Sequence, residues 1–331
     1  MDAPRWPGAV AVSGGGDSMA LMLLLKSWAK AAKLPPPIVL VVDHGLRKGS
    51  AADARKAVAW TRTSGLKAHL LPWKGAKPHA DIEAGARAAR YRLMGTWCQA
   101  HDIAFLYVAH TLEDQAETFM LRLARGSGID GLSAMGAIAP YPLPGFDGLT
   151  LVRPLLEFPR ADLRAFLKRR ARAWLDDPMN EDPRFARVRL RRAAGSLSEL
   201  GLSPERLAGA ARHLARARRA LEDATGAWLS AASRSQAGHV LLDGRALAEV
   251  PEEIGLRALA RVLGAVSGQA YRPRFERLER LLAAISSGEF AARTLHGCRI
   301  GPAAKRDAIF GPGTLTIVRE PGRKTERARS A

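Results

Sequence analysis

Cysteine is nearly absent from these 331 residues: Cys98 and Cys298 are the two, and no CxxC occurs. So sparse a supply excludes a disulfide framework, a Cys-based zinc site and a Cys-ligated cluster, and it fits a reducing compartment. Long apolar runs are missing too. None approaches the roughly 18 residues of a membrane span, and no apolar signal core with a cleavage site stands at the N-terminus. The expectation is a cytoplasmic protein with no membrane partner. Acidic residues are in deficit, with 51 Lys+Arg against 32 Asp+Glu and a net charge of +19. The excess is uneven: 17 against 12 in residues 1–150, and 34 against 20 in 151–331. A basic region of that size points to a polyanion, nucleic acid before an anionic membrane surface.

What is present is a globular composition, 47% hydrophobic and 25% charged, long enough for two or three domains. The most informative stretch is Val10-Ala11-Val12-Ser13-Gly14-Gly15-Gly16-Asp17-Ser18, which runs into the apolar residues 19–25. An apolar strand, a tight glycine turn and an amphipathic helix start follow one another. Such a turn lets backbone N–H groups and the positive end of a helix meet a phosphate. No Gly-Lys-Ser/Thr follows, which excludes a Walker A loop, and no third glycine falls where a dinucleotide fingerprint needs it.

Further apolar strands are expected at 38–42, 68–73, 104–108 and 149–152, with helices at 51–65 and from about 81 to 101. That alternation predicts an α/β fold, a parallel doubly wound sheet with helices on both faces. Ligands of such sheets bind beyond the carboxyl ends of the strands. Two polar clusters besides the glycine loop follow strands there: Asp43-His44-Gly45-Leu46-Arg47 and His110-Thr111-Leu112-Glu113-Asp114. The first equally suits a backbone turn, and Thr111 with Asp114 is nearly a capping box. Arg87, Arg90 and Tyr91 share one helix face, either solvated or a clamp for phosphate. Residues 126–148, rich in Gly and Pro, read as a long loop.

From 153 to 219 there are 17 Lys+Arg against 8 Asp+Glu. Within it an acidic, proline-bracketed segment at 176–183 gives way to Arg184, Arg187, Arg189, Arg191 and Arg192. Its acids suit a helix N-terminus and its arginines a phosphate backbone. Short apolar runs at 239–242, 294–300 and 307–310 mix with helices at about 252–266 and 274–286. The expected organisation is a catalytic domain 1–192, a basic helical region 193–236, a small α+β domain 237–320 and a disordered tail 321–331.

Ser13-Gly14-Gly15-Gly16-Asp17-Ser18 resembles the PP-loop of the N-type ATP pyrophosphatases. Together with Val42–Arg47, Arg87–Tyr91, His110–Thr118, Arg125–Leu132, Arg153–Leu156 and Asp177–Arg191, it resembles the tRNA(Ile)-lysidine synthases over roughly residues 10–192. The resemblance implies ATP-dependent attachment of free L-lysine to the wobble cytidine of tRNA(Ile) with a CAU anticodon. An adenylated cytidine would be the intermediate, with release of pyrophosphate and AMP. It implies ATP at Ser13, Gly14, Gly15, Gly16, Asp17, Ser18, His44 and His110. It further implies catalytic roles for Asp17, Asp43, Asp114 and Arg87, tRNA contacts at Arg90, Arg184, Arg187, Arg189, Arg191 and Arg192, and Mg²⁺ at Glu113 and Asp114. A homodimer is left open. Two departures stand out: Glu113 where relatives carry aspartate, and Val188 where many carry asparagine. The alternatives are a thiolating PP-loop enzyme, which would need catalytic cysteines, and a non-catalytic RNA binder with a relic ATP site.

Overall fold

The computed structural model describes residues 6–75, 77, 82–176, 186–236, 238–269, 271–288 and 290–320. The chain divides into two compact units, Met1–Ala215 and Arg216–Ala331. That division falls inside the stretch 193–236 expected as a basic helical region; the tail 321–331 lies outside the described residues.

The first unit is built on β1 (Ala9–Ala11), β2 (Ile38–Asp43), β3 (Ala68–Pro72), β4 (Phe105–Tyr107), β5 (Ile138–Pro140) and β6 (Thr150–Val152). They form one sheet in the order β3-β2-β1-β4-β6-β5. All neighbours are parallel except β5, which runs antiparallel to β6. Successive strand residues feed two different cores, as the pleat requires. Val10, Val39, Val41 and Tyr107 join one cluster with α1 (Gly16–Ala31), α2 (Ser50–Thr63) and α6 (Arg160–Arg169). Ala9, Leu40, Leu106 and Leu151 join the other with Tyr91, Met94 and Cys98 of α3 (Ile82–Ala100). The sheet is therefore doubly wound. The chain moves outward from β1 through β2 to β3, then returns to place β4 on the other side of β1. The switch point lies between β1 and β4, where such folds open a ligand crevice.

Residues 126–148 are not simply a loop, because α5 (Ile129–Leu132) and the edge strand β5 interrupt them. Both are too short to leave a periodic signal. On the other side of the sheet's switch point, α4 (Leu112–Leu123) carries the His110–Thr118 cluster. Arginine-rich α7 (Ala186–Arg192), α8 (Ala194–Glu199) and α9 (Pro204–Ala232) follow, the last passing from the first unit into the second.

The second unit holds an antiparallel sheet ordered β7-β8-β11-β10-β9, formed by β7 (Ser233–Gln236), β8 (His239–Asp243), β9 (Arg293–Leu295), β10 (Cys298–Pro302) and β11 (Thr314–Arg319). The helices α10 (Gly244–Glu249), α11 (Glu252–Ser267) and α12 (Phe275–Ser286) complete it. Two expectations are corrected here. The apolar run 294–300 is a hairpin: His296 and Gly297 both take positive φ, 54° and 70°, the two-residue turn that matches strand twist. The run 307–310 forms no strand; the central strand is β11, whose Leu315 and Ile317 alternate into the core. Gly311-Pro312-Gly313 separates the two and masks the alternation in the sequence. Because Ile317 is fully buried at the centre of this sheet, Ile317→Ala is expected to destabilise the unit by about 2–5 kcal/mol. Urea denaturation followed by circular dichroism measures it.

Candidate active site at the ends of the central strands

The glycine loop closes β1 and opens α1. Its shape is set by two serines: Ser18 Oγ donates to the Gly15 carbonyl at 2.9 Å and accepts the Ser13 N–H at 3.2 Å, while Ser13 Oγ accepts the Gly15 N–H at 3.3 Å. Leu175 N–H donates to the Gly14 carbonyl at 2.9 Å, tying the segment after α6 onto the loop. Gly14 has φ +89°, and a Cβ there would lie 2.7 Å from Leu175 Cδ1. Only glycine meets both demands. The first N–H groups of α1 carry no side-chain cap. An uncapped helix start of this length, behind a backbone cradle, fits the phosphates of a nucleotide.

Asp43 and His44 lie at the end of the adjacent β2, bonded to their own turn. Asp43 Oδ1 accepts from Gly45 N–H at 3.1 Å and Ser50 Oγ at 2.8 Å, and His44 Nδ1 accepts from Leu46 N–H at 3.1 Å. The turn is thus formed. It sets the position of the carboxylate beside the glycine loop.

Across the switch point, Asp114 completes a capping box: its Oδ2 accepts from the Thr111 N–H at 2.8 Å and Oγ1 at 3.0 Å. Its Oδ1 accepts from Arg160 Nη2 at 2.5 Å. Arg160 gathers the remaining acids. Its Nε lies 3.2 Å from Asp17 Oδ2, its Nη1 3.4 Å from Glu117 Oε1, and its backbone N–H is bracketed by both oxygens of Glu113 at 3.0 and 3.1 Å. Arg191 completes the set, bonding Glu117 through Nε at 2.6 Å and Nη2 at 3.3 Å.

Two of the acids on Arg160, Asp17 and Asp114, shift in opposite directions. Burial pushes Asp17 above the usual carboxylate range, the neighbouring Asp114 and Glu113 charges add to it, and the contact with Arg160 opposes them without cancelling the sum. Burial also acts upward on Asp114, but the shorter Arg160 contact and the Thr111 hydrogen bonds outweigh it and hold the group below that range. Asp114 is therefore ionised at neutral pH.

On the far side of His110 the balance reverses. Arg87 Nη2 donates to Tyr91 Oη at 3.3 Å and stacks on its ring, with Arg90 5.7 Å from the same ring. Tyr91 itself is a core residue, edge-on to Tyr141. Arg153 is buried, donates Nη1 to the Gly136 carbonyl at 2.8 Å and leaves Nε without a partner. Among the described residues none of these three arginines is in an ion pair. Burial first, then the Arg153, Arg87 and Arg90 charges, push His110 down to about 3. The imidazole is neutral, and its Nδ1 is buried without a hydrogen bond.

The structure brings together Ser13–Ser18, Asp17, Glu113, Asp114, His110, Arg87 and Arg90 around the strand ends. The arginine series is divided. Arg187 is half-buried beside Arg90, Arg189 and Arg192 are exposed, and Arg184 lies outside the described residues. Arg191, expected on tRNA, bonds Glu117 in this structure. As for the metal, among the described residues no group of three or more His, Cys, Asp or Glu side chains converges on an ion site. Glu113 and Asp114 already accept hydrogen bonds from α6 and Thr111, and a Mg²⁺ that enters with nucleotide phosphates needs no more than one or two such carboxylates.

Arg160, Glu117 and Leu175 were not singled out from sequence. Arg160 had one signal: an arginine on the first turn of a helix, after Pro159, opposes the helix dipole and so marks a position held by something else. Arg160→Gln is expected to cost about 3–5 kcal/mol at pH 8, because the buried carboxylates of Asp114 and Glu117 lose the cation they share. In the wild type the stabilisation from Asp114 is complete above its unfolded value and is lost as pH falls through its depressed folded value. In the variant the loss of Arg160 leaves only the Thr111 hydrogen bonds and the His110 charge against burial, so that folded value rises and the penalty fades as the group protonates. The gap between the two proteins, measured by urea denaturation at pH 8 and pH 5, should narrow at the lower pH.

The family model described as a PP-loop domain matches residues 5–196. Similar curated proteins include the tRNA(Ile)-lysidine synthase of Methylobacterium nodulans, 42% identical over 97% of this chain and 94% of its own. That of Bradyrhizobium diazoefficiens is 40% identical over 92% and 83%, and that of Ruegeria pomeroyi 39% over 88% and 68%. Among solved structures, the U34-tRNA thiolase NcsA of Methanococcus maripaludis, with its [4Fe-4S] cluster, superposes with a TM-score of 0.50 at 18% identity, covering 64% of this chain and 72% of that one. This last likeness concerns the fold alone. On the matched domain, and on identities of about 40% along nearly its whole length, the chain belongs to the tRNA(Ile)-lysidine synthase family.

Proposed function

We propose that this chain ligates free L-lysine to C2 of the wobble cytidine in the CAU anticodon of tRNA(Ile), at the expense of ATP. The observation that carries the reading is the meeting, at the ends of β1, β2 and β4, of a phosphate cradle, an ionised buried carboxylate and a cationic cluster with no acidic partner among the described residues. Each answers one requirement of the reaction. The cytosine O2 attacks the α-phosphorus of ATP, and pyrophosphate departs with the electron pair of the broken P–O bond. The lysine ε-amine then attacks C2, and AMP leaves carrying O2.

In this reading Ser13, Gly14, Gly15, Gly16 and Ser18 hold the departing pyrophosphate against the start of α1, with His44 and His110 flanking the nucleotide. Asp17 and Asp43 border the same phosphates. Any Mg²⁺ arrives as the counter-ion of ATP and is part of that substrate. Arg87, Arg90 and Arg153 face the anionic adenylate, whose charge the protein leaves them free to meet. A lysine amine with a solution pKa near 10.4 must shed a proton before it attacks, and Asp114 is the carboxylate held ready for it. Arg187, Arg189 and Arg192 extend the basic surface towards the anticodon stem, and the second unit contributes further to tRNA selection. A tRNA substrate places the reaction in the cytoplasm.

A sulfur-transfer reading is disfavoured by the cysteines. Both are buried, Cys98 with its thiol pushed up to about 12 by burial and Cys298 to about 11 by the same cause. Neither supplies a thiolate at neutral pH.

Purified protein with ATP, radiolabelled lysine and a tRNA(Ile) transcript should transfer label to RNA and release AMP and pyrophosphate. A transcript with uridine at the wobble position should accept none. Asp114→Asn is expected to lower transfer at least about 100-fold while leaving tRNA affinity within a factor of two. AMP release without label transfer would reject lysine as the acceptor's nucleophile; equal loss of binding and transfer in the variant would reject the catalytic assignment.

A further inference from the structure

The second unit carries a cavity that the chemistry above does not use. It lies between the turn joining α11 to α12, the start of α12 and the β9–β10 hairpin, and has a volume of about 450 Å³. Arg272, Arg274 and Arg277 line it together with Tyr271, Leu295 and His296, and no carboxylate belongs to its described lining. Tyr271 stands 66% exposed, an unusual position for a large aromatic ring in a monomer surface, and Phe275 just beyond it is 55% exposed. His296 braces Tyr271 edge to face, with ring centroids 5.4 Å apart and planes at 85°. The histidine is itself fixed by the tight positive-φ turn with Gly297. Arg272 approaches Glu222 at 3.6 Å, whereas Arg274 and Arg277 are exposed and in no ion pair among the described residues. Glu276 and Glu279, on α12, lie outside the lining.

A braced aromatic face next to unneutralised guanidinium groups is what an unpaired nucleotide needs: the ring stacks a base and the arginines meet the adjoining phosphodiesters. A duplex offers only the second contact, since its bases are already stacked on each other. The volume falls in the range of pockets that take a small ligand. We infer that this cavity docks an unpaired nucleotide of the RNA substrate, with Tyr271 as the stacking platform and Arg274 and Arg277 as the phosphate contacts. The inference rests on the proposed function only in choosing RNA as the polyanion.

The test uses the full chain and two fluorescein-labelled probes: a single-stranded decaribonucleotide and a blunt ten-base-pair RNA duplex. Anisotropy titrations need neither ATP nor lysine, so their outcome is separate from that of the transfer assay. Tyr271→Leu is expected to weaken single-strand binding about tenfold and duplex binding less than twofold, while Tyr271→Phe binds both probes as the wild type does. Arg274→Gln with Arg277→Gln should weaken both probes and reduce the slope of log affinity against log salt by up to about 2 units. Arg306→Gln, an exposed charge change elsewhere in the unit, should leave the single-strand preference intact. Unchanged single-strand binding in Tyr271→Leu would overturn the proposal. Equal weakening of both probes by that variant would overturn it too, leaving a general electrostatic surface in its place.

Discussion

One guanidinium ties the carboxyl end of the sheet together. Arg160 reaches Asp17 on α1 and both Asp114 and Glu117 on α4, while its own backbone N–H is capped by Glu113. Three helices that leave the sheet at different strands are thereby locked at one point. Removing a buried ion pair as a whole is often neutral, but removing one partner strands the other in low dielectric. Here a single cation serves three carboxylates, so the asymmetry is multiplied. The glycine loop depends on the same lock at one remove, since α6 leads into the segment whose Leu175 hydrogen-bonds Gly14.

That arrangement also explains how one aspartate serves two ends. The Arg160 charge first, and then the hydrogen bonds that make Asp114 a helix cap, keep it ionised despite its burial. A capping role and a chemical role are often treated as alternatives. Here they are the same electrostatics, because a carboxylate stabilised as an anion by Thr111 and Arg160 is pre-oriented and charged before any substrate arrives. Asp17, a neighbour without the cap, is pushed the other way. Environments that separate the affinities of adjacent acids for protons are a feature of working sites.

Much of this was legible in the sequence. The doubly wound sheet follows from apolar runs alternating with helical periods, and the glycine loop announces itself by residues that only a close backbone approach requires. The nearness of His110 and Asp114 to the glycine loop follows from their place after a strand. What escaped notice has physical reasons. Arg160 looks like one more charge in a basic stretch, and its partners come from elements 43 to 143 positions away. Arg191 likewise sits in an arginine run whose pattern suggests RNA, yet its bidentate bond is to Glu117 on another helix. β11 was hidden because a Gly-Pro-Gly turn breaks the run before it, while the hairpin at His296 joined two strands into what reads as one.

The shared fold with a thiolating enzyme sharpens what the residues must decide. A PP-loop sheet supplies an activated acceptor and leaves the nucleophile open. Where a protein thiol delivers sulfur, it must be ionised and near the strand ends; here both thiols are buried with their proton affinities raised, one in the α3 core and one in the second unit. The nucleophile then has to diffuse in. A diffusible amine enters as an ammonium ion, which an anionic pocket attracts and an ionised carboxylate can relieve of its proton. In the proposed reaction Asp114 would meet both needs, and the arginines beyond His110, in no ion pair among the described residues, would supply the opposite charge for the adenylate. On the proposed assignment, segregating the two charges on either side of a neutral histidine would let one crevice hold a cationic nucleophile and an anionic leaving group without neutralising either.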